Sequence, residues 1–168
     1  MTTMTLADNL RHTVPLYTAR YHSQKVRESS LPKVGITVGS PRFLGYDLAD
    51  RIKSLAPYGG ILSITDRDEF TRAMLARLDR PGIVDHVAER LNEIASRRHA
   101  DGIILCCFEN IAAKPDLWCH REIVAKWWQE RTGEEMLEYP EIGETTAHPQ
   151  RGLEWPEIIP DPQQSLGL

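Results

Sequence analysis

The chain has little cysteine, three residues in 168. That odd, small number argues against a secreted disulfide scaffold and for a reducing compartment. It has no apolar run near the roughly 18–20 residues that a membrane span needs. Its first residues, MTTMTLADNLRHTV, carry neither the charged start nor the apolar stretch of a signal peptide. We therefore expect a cytoplasmic protein with no membrane partner. Internal repeats are absent, and so is any run of basic residues. The net charge is −4, and its distribution is uneven: residues 1–60 carry eight Lys/Arg against four Asp/Glu, the remaining 108 twelve against twenty. Nucleic-acid binding through phosphate neutralisation has no basic patch to rest on, though composition does not exclude it. An acidic whole still leaves room for a small anion held by a few placed arginines.

What is present is a run of alternating elements. Leu16 to Tyr21 is rich in strand formers, and Lys33 to Gly39 alternates apolar with small or polar residues before the turn Gly39-Ser40-Pro41-Arg42; both read as strands, with 22–32 as a polar loop. Asp47 to Leu55 is expected as a short helix, and Ile61 to Ile64 as a short strand or extended loop. Asp66 or Thr65 can cap a helix whose Phe70, Met74, Leu75 and Leu78 share one face. After Pro81-Gly82, the stripe Val84, Val87, Ala88, Leu91, Ile94 and Ala95 predicts a helix to Arg98. The unbroken apolar run Gly102 to Phe108 reads as a central strand covered on both faces. A further helix runs from Trp118 to Gly133, and Met136 to Tyr139 is a last strand.

Helix, buried strand, helix and strand in succession imply right-handed crossovers in a mostly parallel sheet. The expected architecture is α/β: one three-layer, Rossmann-like domain over 15–140. A flexible leader of 1–14 is expected before it, and an acidic Pro/Glu-rich tail of 141–168, extended or disordered, after it.

In such sheets ligands sit beyond the carboxyl ends of the strands, beside the next helix N-terminus. Here that place holds Cys107 and Glu109 from the strand and Trp118, Cys119, His120 and Arg121 from the helix start. Strand alternation puts Cys107 and Glu109 on one side and Cys106 and Phe108 on the other. On the helix, His120 aligns with Ile123, Val124 and Trp127 and should point inward, with Arg121 nearer the edge. A thiol in the first turn of a helix beside His and Arg has surroundings that favour thiolate. The plainer reading is a small buried residue filling space, which is the usual fate of a free cysteine. Cys107, Cys119 and His120 supply three zinc-ligand types, yet their spacing matches no standard zinc module. Disulfide exchange between Cys107 and Cys119 is disfavoured because a C-x-x-C arrangement is absent.

Arginines form a second group. Arg20 ends the first strand and Arg42 follows the turn after the second. If both strands flank the central one, they converge with Arg121 near a helix N-terminus, a setting suited to phosphate or carboxylate. Glu109 can orient Arg121 or act as a general acid or base. Trp118 alone of the four tryptophans sits where a base could stack.

The segments Leu105-Cys106-Cys107-Phe108-Glu109 and Trp118-Cys119-His120-Arg121, with Trp127-Trp128, resemble the uncharacterised YeaO-like family of bacterial and phage proteins, domain of unknown function 488. The likeness is nearest to its short actinobacterial and actinophage branch. It extends to Tyr17-Thr18-Ala19-Arg20-Tyr21, Val34-Gly35-Ile36-Thr37-Val38, Pro41-Arg42 and Leu55-Ala56-Pro57, so it spans 16–139. The resemblance implies an α/β fold with a Cys-His-Arg corner as hallmark, and implies no activity. Cys106 stands where an aliphatic residue is expected and reads as packing.

The expected function is binding or processing of a small anionic, nucleotide-like molecule. Arg20, Arg42, Arg121 and Trp118 would hold it, and Cys119, His120 and Glu109 would act on it. The alternatives are a non-catalytic accessory protein of a phage or mobile element, and a zinc protein. The sequence leaves the cofactor unknown.

Overall fold

The computed structural model describes residues 14–109, 118–140 and 153–157. Five strands form one all-parallel sheet in the order β3-β2-β4-β1-β5. They are β1 (Leu16–Arg20), β2 (Lys33–Gly35), β3 (Asp50–Arg51), β4 (Ile103–Cys107) and β5 (Met136–Glu138). The helices are α1 (Gln24–Glu28), α2 (Arg67–Leu78), α3 (Ile83–Arg98) and α4 (His120–Thr132). This is a single α/β domain, as the element pattern predicts.

The centre of the sheet is β4, which pairs with β1 on one side and β2 on the other. All five of its residues are buried. Its unbroken apolar run follows from that position, because both faces of a central parallel strand are covered. Alternation divides the strand between two clusters. Ile103, Leu105 and Cys107 join the main core with α2, α3 and α4, while Ile104 and Cys106 face a smaller cluster with Ala19, Tyr21 and Val26. Three long helices thus cover one face. The short α1 and the chain around Leu44, Tyr46 and Leu48 cover the other.

Local chemistry sets the helix ends. The Asp66 carboxylate accepts the Glu69 N–H at 2.8 Å and starts α2. Gly133, at φ 78°, ends α4 in the left-handed conformation that glycine adopts without cost. Two tryptophans anchor α4 in the core: Trp127 and Trp128 are fully buried, and their ring N–H groups donate to Asp79 and Glu134. Removing either ring would cost about 3–5 kcal/mol.

The structure departs from expectation where pairing, not pattern, decides. Residues 47–55 form no α-helix. Asp50 and Arg51 instead pair with Val34 and Gly35, followed by a 3-10 turn at Lys53–Leu55. That arrangement buries Ile52, Leu55 and Ala56 while the sheet satisfies the backbone. Residues Ile61–Ser63 form another 3-10 turn rather than a strand. The second strand ends at Gly35, although the Ile36 N–H still donates to the Cys106 carbonyl. Gly35 is needed there, since a Cβ would lie 2.7 Å from the Tyr21 hydroxyl. The polar loop at 22–32 contains α1, capped by Ser23.

Of the expected leader and tail, residues 1–13, 141–152 and 158–168 lie outside the described residues. Within the tail, 153–157 is not free. Leu153 joins the main core, and the Trp155 ring N–H donates to Glu130 beneath Lys126. An apolar pair in an acidic segment can bury itself without regular structure. Among the described residues, no helix is long and apolar enough to cross a membrane.

Candidate active site

The carboxyl end of β4 and the start of α4 meet at one corner of the sheet. There a cleft of about 370 Å³ opens, within the usual range for small-molecule sites. Three segments make its walls: Thr37, Val38 and Gly39 beyond β2; Pro57, Leu62, Ile64 and Phe70 from the region before and within α2; and Phe108, Glu109, Trp118, Cys119 and His120 from the β4–α4 corner. The lining is mostly apolar. Trp118 packs edge-to-face on Phe70 with ring centres 4.7 Å apart, forming an aromatic wall. Arg51 fixes the opposite wall by donating to the carbonyls of Thr37 and Val38, each at 2.8 Å.

Cys119 is the N-cap residue of α4. Its sulfur lies 2.6 Å from Cys107 Sγ, 2.9 Å from Glu109 Oε2 and 3.8 Å from His120 Nδ1. His120 Nε2 is 2.6 Å from the Ile36 carbonyl, which can only accept, so that nitrogen carries the hydrogen and Nδ1 is turned to Cys119. Burial alone would push the Cys119 thiol up. The hydrogen bond with Cys107, the charge and hydrogen bond of His120, and the Arg121 guanidinium together outweigh burial and hold it well below the ordinary value of 9.0. The helix N-terminus acts in the same direction. For His120, burial opposes the charged form, but the Cys119 sulfur and the Ile36 carbonyl raise it above 6.5. Each group thus favours the charged form of the other, with the sulfur 3.8 Å from Nδ1. Its partner thiol behaves in the opposite way: burial, then the Cys119 sulfur beside it, pushes Cys107 well up. Glu109 is raised by burial and by the charge and hydrogen bond of Cys119, and its Oε2 accepts from the Cys119 sulfur at 2.9 Å.

Arg121 sits beneath this pair. It was expected nearer the edge of the helix, yet it is 1% exposed, more deeply buried than His120 at 6%. Its position over the strand end explains the difference. Nη1 donates to Cys107 Sγ at 2.9 Å and to the Glu109 carbonyl at 2.6 Å, while Nε and Nη2 reach the Glu138 carboxylate. Thr18 donates to the other Glu138 oxygen at 2.8 Å. Every nitrogen of the guanidinium is engaged inside the protein. It braces the corner and does not line the cleft.

The structure therefore brings together Cys119, His120, Glu109 and Trp118, with Cys107 directly behind. It does not bring the other two arginines into the cleft wall. β1 and β2 do flank β4, and Arg20 stands in register with Cys107. Arg42, however, lies exposed in the loop after β2, and neither side chain borders the cleft. Strand order places a residue at the sheet edge, but not the direction in which its side chain runs.

Sequence reasoning did not find the Thr37–Val38–Gly39 wall, the Ile36 carbonyl or Glu138. Only Glu138 left a signal, as an acidic residue within a short strand beside β1. The disfavoured pairing of Cys107 with Cys119 turns out to be a direct sulfur contact, because the strand end and the helix start close the 12-residue separation in space. The possible metal ligands also change: Cys107, Glu109 and Cys119 offer atoms within 4.8 Å of one another. His120 is not among them.

Comparison with protein-family models, curated proteins and solved structures finds no match to this chain. The functional reading accordingly rests on the geometry of this corner.

Proposed function

We propose that the chain is an intracellular enzyme that processes a small molecule by nucleophilic chemistry at Cys119. The observation that carries this reading is the Cys119 sulfur on the wall of a mostly apolar cleft, 3.8 Å from His120 Nδ1 and 2.9 Å from the Glu109 carboxyl. Activated nucleophile, orienting base and proton donor are the parts covalent catalysis needs. Cys119 attacks an electrophilic atom, Glu109 supplies or removes the proton of the departing group, and His120 holds the sulfur ionised. Phe70 and Trp118 offer a flat face to an aromatic or nucleobase-like group.

The anionic, nucleotide-like ligand expected from the sequence keeps this aromatic platform but loses its arginine clamp. A charged phosphate deep in the cleft would face Cys119 and Glu109, so the part of the ligand at the sulfur is neutral. Membership of the YeaO-like family, with its Cys-His-Arg hallmark, is proposed on the motif residues alone. On this reading Cys and His are chemical and Arg121 is the brace.

In a panel of nucleotides and neutral aromatic metabolites, Cys119→Ser and His120→Asn should stay folded and lose turnover. A non-catalytic accessory protein would instead retain every ligand-dependent rise in melting temperature in both variants.

A second reading, a zinc-binding protein, has one observation in its favour, the three ligand atoms of Cys107, Glu109 and Cys119. The Arg121 guanidinium 2.9 Å from Cys107 Sγ counts against it, since a dication would sit beside a buried cation. Elemental analysis of untagged protein decides this: stoichiometric zinc would replace the nucleophile reading.

A further inference from the structure

Cys119 has a second thiol in direct contact, and the nucleophilic role alone leaves that thiol unused. Cys107 Sγ lies 2.6 Å from Cys119 Sγ, and both cysteines are free. The two thiols differ in kind. Cys119 borders the cleft, whereas Cys107 is fully buried behind it and receives an N–H from Arg121 at 2.9 Å. One thiol can meet a substrate, and the other can meet only its partner. Such an arrangement fits an attacking and a resolving cysteine.

We propose that the pair reduces organic hydroperoxides carrying an apolar or aromatic group; this rests on the reading of Cys119 as an activated nucleophile. A hydroperoxide is favoured over a disulfide substrate by the carboxyl beside the sulfur. An alkoxide is a strongly basic leaving group and needs a proton donor, which Glu109 provides, whereas a thiolate leaves without one. The Cys119 thiolate attacks the terminal oxygen of ROOH; the S–O bond forms, the O–O bond breaks, and RO⁻ takes the Glu109 proton to leave as ROH. Cys119 is then a sulfenic acid. The Glu109 carboxylate next accepts the Cys107 proton, while the Arg121 N–H stabilises the new thiolate. Cys107 attacks Cys119 Sγ, the S–S bond forms, the S–O bond breaks, and the hydroxide leaves as water with the proton from Glu109. One hydroperoxide has been reduced and two thiols oxidised. An external dithiol reductant returns both by thiol–disulfide exchange. The apolar lining, including Leu62, Phe70, Phe108 and Trp118, selects the organic group over hydrogen peroxide.

The test uses the full chain and cumene hydroperoxide. Peptide mass spectrometry should show a Cys107–Cys119 disulfide, with one hydroperoxide consumed per chain and a slower reaction with hydrogen peroxide. Cys107→Ser, verified as folded by circular dichroism, should stop at a Cys119 sulfenic acid that dimedone traps. Should that variant unfold, dimedone added to the wild-type reaction must reduce the disulfide yield instead. Cys106→Ala should react as the wild type does. Iodoacetamide alkylation near pH 6 is run in parallel. Ready alkylation of Cys119 without hydroperoxide-driven disulfide would overturn the peroxide chemistry and leave the nucleophile standing. An unreactive Cys119 would remove both.

Discussion

Cys106 and Cys107 are neighbours on one strand, yet they belong to two different chemical settings. Cys106 faces the thinly covered side of the sheet, among Ala19, Tyr21, Val26 and Ile104. Its sulfur donates to the Ile104 carbonyl at 3.7 Å and meets the Tyr46 hydroxyl, and burial pushes its thiol up to about 12. Tyr21 on that side is likewise pushed up to about 12 by burial. Protons there stay in place. Cys107 faces the side of α4 and is locked between Arg121 and Cys119, where two thiols, an imidazole and a guanidinium share one small volume. The residue type and the burial are the same on both faces. What differs is the set of partners, and partners decide whether a buried thiol is filler or machinery.

The two faces also differ in what they cost to disturb. The largest effect should come from Arg121, the one fully buried arginine among the described residues. Arg121→Met would leave Glu138 buried without its cation and Cys107 without its donor. We expect a loss of about 3–5 kcal/mol in urea unfolding. Glu138→Gln, which keeps hydrogen bonds to Arg121 and Thr18 but removes the charge, should cost less.

On reactivity, His120→Asn should raise the Cys119 pKa towards 9.0 and slow its alkylation near pH 6.5 by roughly tenfold or more, measured by iodoacetamide labelling and peptide mapping. Stability should carry the signature of the pair with opposite signs. Cys119, depressed in the folded state, contributes fully above 9.0, and that contribution is lost as pH falls through its folded value. His120, raised in the folded state, contributes fully below 6.5, and that contribution is lost as pH rises through its folded value. In Cys119→Ser the first loss should vanish from the pH profile of unfolding, and in His120→Asn the second.

The smallest effect belongs to the quiet face. Cys106→Ala should cost about 1 kcal/mol for the missing sulfur and leave the alkylation of Cys119 unchanged. A large change in Cys119 reactivity in that variant would mean that the two faces are coupled through the strand.

Much of this contrast was legible in the sequence, and the illegible part has a physical cause. The apolar run of β4, the stripe of α3 and the Trp127-Trp128 helix carried their own periodicity, so the central strand and its flanking helices could be read directly. The two-residue β3 could not, because pairing with Val34 and Gly35 makes it a strand and nothing local does. At the site, Cys119, His120 and Glu109 come together because chain direction alone sends a strand end and the following helix start to the same edge. The sulfur contact and the burial of Arg121 depend on how α4 lies over that edge, which no spacing encodes. Arg20 and Arg42 lie outside the cleft lining for the same reason.

The central claim is that Cys119 is a thiolate at neutral pH, and its alkylation rate as a function of pH tests this most directly. With Cys119 resolved from Cys106 and Cys107 by peptide mapping, the rate should stay high well below pH 9 and fall only as the thiolate is protonated in acid. A rate that tracks an ordinary thiol, rising with a midpoint near the usual value of roughly 8.5, would contradict it.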